Sequence, residues 1–309
     1  MKEGEEGKRS KDITNLGASV RARLLNIAKQ TNRDFNAVLL QYYQERFLFR
    51  LSVSPYNSAF ILKGALMQLA HHMSRLRPTK DIDFLGLGVS NDPVDVQKII
   101  QRIVSIESRD AVVFDADSVH AERIAEGAEY NGVRVKLQAT LHGACTVLQI
   151  DIGFGDEIVA GPLRMDFPVL LDMPIPTIHV YSRESSIAEK FQALVKRNIL
   201  SSRMKDIYDI LFLAETESFQ SEVLRKALSK TFSRRGTELG DRSVVFAESF
   251  ATDADRQAQW RAFLRRDRIG EYTELPQAMT LLKEFLEPVC DPNHDLQHAT
   301  WDSVSRRWK

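Results

Sequence analysis

The strand-like stretches of this 309-residue chain all fall before residue 155, and from Glu184 onward the sequence reads as almost wholly helical. Segregation of the two patterns, rather than their alternation, favours an α+β architecture over a wound parallel sheet. The strand candidates are Phe60-Ile61-Leu62, Asp81 to Leu87, Val133 to Leu141 and Cys145 to Phe154. The last two are rich in β-branched residues and are joined by His142-Gly143-Ala144. Helical spacing is expected at Ser19 to Lys29 with Ser19 as N-cap, and at Asp34 to Leu51, Ala65 to Met73 and Val94 to Ile106. It recurs at Glu184 to Lys196, Ser202 to Glu215, Ser221 to Phe232, Asp255 to Arg266 and Gln277 to Val289. The stripe Val38, Leu39, Tyr42, Tyr43, Phe47 and Leu51 reads as core. Pro162, Pro168, Pro174 and Pro176 mark an irregular crossing. The expected organisation is a disordered lead-in over 1–15, a mixed-sheet domain with an amino-terminal helical hairpin over 16–178, and a helical domain over 179–309.

Composition narrows the function classes. Lys plus Arg equals Asp plus Glu at 42 each, so no global field draws the chain to nucleic acid or an anionic membrane. Any polyanion site must be a local patch. The two cysteines, Cys145 and Cys290, lie far apart and outside metal-ligand spacing, which suits a reducing compartment. Both read as inert packing residues. The start MKEGEEGKRSKD carries no apolar segment, and no later run approaches a membrane span, so a cytoplasmic protein is expected.

Chemistry concentrates in FILKGALMQLAHHMSRLRPTKDIDF, residues 60–84. Residues two apart in a strand share a face, so Asp81 and Asp83 would project together. Paired carboxylates invite a hard divalent cation, and Mg²⁺ is commonly held by one or two carboxylates plus substrate phosphates. The competing reading is a strand end whose carboxylates face water. Gly64 has no Cβ, which would let a triphosphate approach the backbone N–H groups at the start of the following helix. Asp151, between Ile150 and Ile152, needs a partner or a metal in such apolar surroundings. A second cluster runs from Lys190 to Lys205 with Lys196, Arg197 and Arg203 and no acidic residue. It is either a solvated face or a local positive field, and Lys190, beside Ile187, Phe191 and Leu194, could aim its ammonium inward at phosphates. Asp206 and Asp209 share a helical face. Asp209 reads as a partner of Arg203 or Lys205, while Asp206 is open between that role and a base or water-positioning group.

As a set, ERFLFRLSVSPYNSAFILKGALM, RPTKDIDFLG, YNGVRVKLQATL, LQIDIGFGD, SIAEKFQALV and SRMKDIYDI, in order from 45 to 210, resemble the AbiEii/AbiGii-type nucleotidyltransferase toxins. FSRRGT and the helix with Trp260 extend the likeness toward 265. These toxins belong to the DNA polymerase β-like nucleotidyltransferase superfamily and to type IV toxin–antitoxin and phage-abortive systems. The resemblance implies a nucleotidyltransferase-type mixed sheet with flanking helices and a helical half completing the active site. It implies Asp81 and Asp83 as metal ligands for Mg²⁺ or Mn²⁺, Asp151 as a third carboxylate, and Lys190 on the NTP triphosphate. Asp206 matches the acidic residue of the (K/R)-D-x-x-D segment, and Lys63, Gly64 and Thr79, the last beside Arg77, fall on the nucleotide-binding side. Ala65 departs from the Gly or Ser common after the glycine, removing a hydroxyl that could touch phosphate. The implied reaction is attack of an acceptor hydroxyl on the α-phosphate of an NTP with release of pyrophosphate. The acceptor would be the 3′ end of tRNA, with Arg197, Arg203, Lys226, Lys230, Arg234 and Arg235 as candidate RNA contacts. A cognate antitoxin is the implied protein partner. The rival readings are transfer to a protein acceptor, kinase-like phosphotransfer, and a catalytically degenerate antitoxin-binding protein.

Overall fold

The structure is a computed structural model that describes residues 15–71, 79–125, 131–197, 203–266 and 274–309. The expected lead-in, apart from Asn15, and the segment with Arg75 and Arg77 lie outside these residues. The chain begins with α1 (Leu16–Gln30), α2 (Phe35–Ser52), β1 (Phe60–Lys63), α3 (Gly64–Ala70), β2 (Asp81–Gly86) and α4 (Pro93–Val104). Strands β3 (Val113–Phe114), β4 (His120–Ala125), β5 (Asn131–Leu141), β6 (Ala144–Phe154), β7 (Leu163–Asp166) and β8 (Thr177–Val180) follow. The rest comprises α5 (Arg183–Arg197), α6 (Met204–Thr216), β9 (Phe219–Gln220), α7 (Ser221–Arg234), α8 (Ser243–Phe246) and α9 (Glu248–Thr252). It closes with α10 (Ala254–Arg266), α11 (Leu275–Cys290), β10 (Thr300–Asp302) and β11 (Arg307–Trp308). The fold class is α+β, with a mixed sheet and a helical carboxy-terminal half.

Two compact units emerge, neither continuous in sequence. The first takes its described residues from Met1–Asn57, Ser90–Asp151 and Asp166–Thr177; the second takes Ser58–Val89, Ile152–Met165 and Ile178–Lys309. Ile178 thus opens the last segment of the second unit, which also draws in the β1–α3–β2 segment that carries the paired aspartates.

In the first unit, β3 and β4 both pair antiparallel with β5. The aromatic stripe of α2 is core: Tyr42, Tyr43 and Phe47 are fully buried. The two tyrosine hydroxyls remain satisfied, since Tyr42 donates to the Asp110 carbonyl at 2.9 Å and Tyr43 to the Ala144 carbonyl at 2.7 Å. Helix α2 also buries charge. Arg50 forks onto Asp110 at 2.8 and 3.2 Å, and the fully buried Glu45 accepts the Leu170 amide at 3.1 Å. Burial outweighs that amide and the neighbouring Arg46, and lifts the Glu45 carboxyl to about 8. Helix α1 is capped by Asn15, which accepts from the Ala18 amide, so it starts a turn earlier than the Ser19 cap expected from sequence.

In the second unit, β1 lies between β2, antiparallel, and β8, parallel. The helices form one core that contains Phe191, Leu211, Phe232, Trp260, Leu282, Phe285 and Trp301. Cys290 is packed there, and burial pushes its thiol up to about 12. Cys145, in the first unit, is exposed, because the alternation of β6 turns it to solvent; the packing role expected for it does not apply. Among the described residues no helix is long and apolar enough to cross a membrane.

Candidate active site

Antiparallel pairing of β1 and β2 sets Lys63 opposite Asp83. Along β2, Ile82 is fully buried while Asp81 and Asp83 are half-buried, so the strand alternation puts both carboxylates on one face. Thr79 sits just before them, its hydroxyl 3.4 Å from the Asp81 carbonyl. Gly64 follows Lys63 with φ +68°, in the left-handed region, and a methyl group on it would meet Asp83 Oδ2 at 2.0 Å and Asp83 Cγ at 2.7 Å. The space beside this glycine is filled by a carboxylate of the same chain. Phosphate access was the reason expected for Gly64; room for Asp83 is a second one.

Helices α5 and α6 supply the next group. Lys190 points from α5 to α6, its Nζ 2.8 Å from Asp209 Oδ2 and 3.6 Å from Asp206 Oδ1. Asp206 also pairs with Arg203, one turn back, at 3.3 Å. Asp209 is fully buried and meets the Lys190 ammonium directly, the kind of partner a buried carboxylate requires. The partner expected for Asp209 was on its own helix; the contact made is between helices, which local spacing cannot reveal.

A second set of charges in this unit joins Lys63, expected on the nucleotide side, and Arg235, expected as an RNA contact, to Asp156 and Glu189, which were not singled out from sequence. Lys63 Nζ lies 3.3 Å from Glu189 Oε2 and 3.4 Å from Asp156 Oδ2. Arg235 forks onto Asp156 at 3.0 Å, approaches Glu189 at 3.3 Å and donates to Gln192 Oε1 at 3.2 Å. Tyr181 donates to Glu189 Oε1 at 2.7 Å. Burial opposes ionisation of Glu189, but Lys63 and Arg235 outweigh it and bring the carboxyl down to about 2. Asp156 moves the other way, raised by burial and by the charge of Glu189. Asp156 and Glu189 lay within motifs already quoted, LQIDIGFGD and SIAEKFQALV, but no local spacing links them to Lys63 or Arg235.

In the first unit, Asp151 accepts a bidentate pair from Arg134 at 2.7 and 2.9 Å, with Gln149 at 3.3 Å. That arrangement supplies the partner its apolar flanks demand. Of the candidate RNA contacts, Lys226 is exposed on α7, Lys230 pairs with Glu157, and Arg234 donates to the Gly155 carbonyl at 3.0 Å. The side chain of Arg197 lies outside the described residues. Among the described residues no three His, Cys, Asp or Glu side chains are grouped as a ready metal cage.

The family comparison puts this chain, an α+β fold with a mixed sheet, among the nucleotidyltransferases. The family model "Nucleotidyl transferase AbiEii toxin, Type IV TA system" matches residues 46–283, and the chain belongs to that family. Among solved structures, JHP933 from Helicobacter pylori is similar at 14% identity and TM-score 0.47, over 80% of this chain and 88% of that one. A second H. pylori chain, assigned as a nucleotidyltransferase, is similar at 14% identity and TM-score 0.45, over 80% and 91%. Likeness at that level carries no argument about mechanism. No curated protein matches.

Proposed function

We propose that the chain is a toxin of a toxin–antitoxin system that transfers NMP from an NTP to an RNA 3′ hydroxyl, with tRNA as the acceptor. The observation that carries this is the pair Asp81 and Asp83 on one half-buried face of β2, in a member of this family. Two carboxylates on one face are oxygen donors that fit Mg²⁺ or Mn²⁺, which take one or two carboxylates and complete their shell with phosphates and water. Bound there, such an ion would offset phosphate charge and favour the deprotonated attacking oxygen. Asp151, proposed from sequence as a third carboxylate, is paired with Arg134, and the reading rests on Asp81 and Asp83.

The chain's own residues account for the remaining roles. Lys190 offers positive charge to the triphosphate from a position fixed by Asp206 and Asp209. Asp206 is a supporting group that orients the ammonium. Gly64 and Thr79 border the two aspartates on the nucleotide side of the site, and Lys63, paired opposite Asp83, turns its ammonium to Glu189 and Asp156. In the reaction the acceptor oxygen bonds to the α-phosphorus, the bond from that phosphorus to the bridging oxygen of the β-phosphate breaks, and pyrophosphate leaves with that electron pair. Exposed Lys226, Lys230 and Arg234 on α7 are assigned to acceptor phosphates. The setting is cytoplasmic, with an antitoxin as partner and phage defence as the biological role.

Incubation with total tRNA and each NTP labelled at the α-phosphate tests the reading. Label is expected on the tRNA 3′ end, and Asp81→Ala should remove it while circular dichroism is unchanged. Transfer of a γ label instead would establish phosphotransfer, α label on protein would move the acceptor, and no transfer from any NTP would favour a non-catalytic antitoxin-binding protein.

A further inference from the structure

The cluster of Lys63, Asp156, Glu189 and Arg235 contains two cations and two carboxylates, with side chains only 18, 7, 16 and 10% exposed. Its members come from β1, from the loop after β6, from α5 and from the residue that follows α7. Tyr181, just past β8, adds a hydroxyl. Neutral overall and mostly buried, such a set is a poor source of stability, since apolar replacements of the same volume often do as well. What it supplies is direction: Arg235 engages both carboxylates and Gln192, and each carboxylate also meets Lys63.

Two members stand one residue from groups assigned to the nucleotide. Lys63 precedes Gly64, which closes on Asp83, and Glu189 precedes Lys190, which reaches Asp206 and Asp209. Successive residues on a helix point about 100° apart. Glu189 therefore faces the cluster while Lys190 faces α6, and α5 is held on both sides. The contact of Lys63 with Glu189 ties the glycine turn to α5 across 126 residues of sequence.

We propose that Lys63, Asp156, Glu189 and Arg235 are positioning residues that fix the Gly64–Asp83 turn relative to the Lys190 ammonium. In this role Lys63 acts through its neighbours and does not itself bind phosphate. The proposal deepens the nucleotidyl-transfer reading and rests on it for its effect on rate.

Two measurements test it. In hydrogen exchange on the full chain without nucleotide, Glu189→Gln and Lys63→Met should speed exchange of the paired amides of β1 and β2, which carry the turn and Asp83, about tenfold or more, with α11 unchanged. Unchanged exchange in β1 and β2 overturns the proposal. In steady-state transfer each variant should lower kcat about tenfold to a hundredfold with KM for the NTP nearly constant, because displacement by about 1 Å can cost that much. The double variant should lose little more than the worse single, as members of one unit do. Additive losses, or a Lys63→Met variant that only raises KM, overturn it and make Lys63 a phosphate ligand. Tyr181→Phe removes one hydroxyl and should shift both readouts in the same direction by less, which keeps the test open if a charge variant fails to fold. Exchange that changes as expected in a chain whose wild type transfers nothing supports the tie and sinks the enzymatic reading.

Discussion

The closest approach in the site gives a measurable prediction. Gly64→Ala has two costs. The first is backbone: φ is +68°, where an L side chain costs roughly 1–2 kcal/mol. The second is the overlap with Asp83, whose Oδ2, Cγ and Cβ would lie 2.0, 2.7 and 2.9 Å from the new methyl. A rotamer change could move the oxygen, but the Cβ moves only with the backbone of β2, and overpacking of this kind costs about 1–3 kcal/mol. Gly88 isolates the first cost, since its φ is +66° and nothing lies within 4 Å of an added methyl. Urea unfolding followed by circular dichroism should therefore find Gly64→Ala less stable than Gly88→Ala by about 1–3 kcal/mol. Transfer should be lost in the first variant and retained in the second. Stabilities within about 0.5 kcal/mol of each other would refute the claim that Asp83 needs this glycine.

Two further outcomes concern the first unit. Glu45 ionises near 4.5 when unfolded and near 8 when folded, so the folded chain holds a proton that the unfolded chain has released. Stability from this group is therefore fully present below 4.5, falls as pH rises and levels off above 8, by at most about 1.4 kcal/mol per pH unit. Glu45→Gln should flatten that fall between pH 5 and 8 in urea titrations; an unchanged pH dependence would show that Glu45 is ionised in the fold. Arg50→Met should cost about 3–5 kcal/mol because it strands buried Asp110, and Arg50→Met with Asp110→Leu should recover much of that. A double variant as unstable as the single would mean that the loss lies in packing.

The late helices could be read from sequence because their apolar spacing is strong: α6 and α7 begin within two residues of their expected starts. Strand β4 could not, because HAERIA mixes charge with small residues and is made a strand by pairing with β5. Asp81 and Asp83 were legible because two-residue spacing is a local fact. The pairing of Lys190 with Asp209 and the ion cluster were not, since their partners are 19 to 126 residues apart and only tertiary packing brings them together. Asp151 shows a third situation. The sequence correctly required a partner for it, but could not choose between a metal and Arg134, the residue seventeen positions earlier that faces it in the structure.

All three tryptophans, Trp260, Trp301 and Trp308, belong to the second unit, where Trp301 and Trp308 pack on Phe285. Intrinsic emission excited at the red edge, where tyrosine is silent, is therefore an optical report on the helical half alone. Far-ultraviolet ellipticity reports both units, since each carries helix and strand. Comparing the two melting curves would show whether the halves come apart together or in turn.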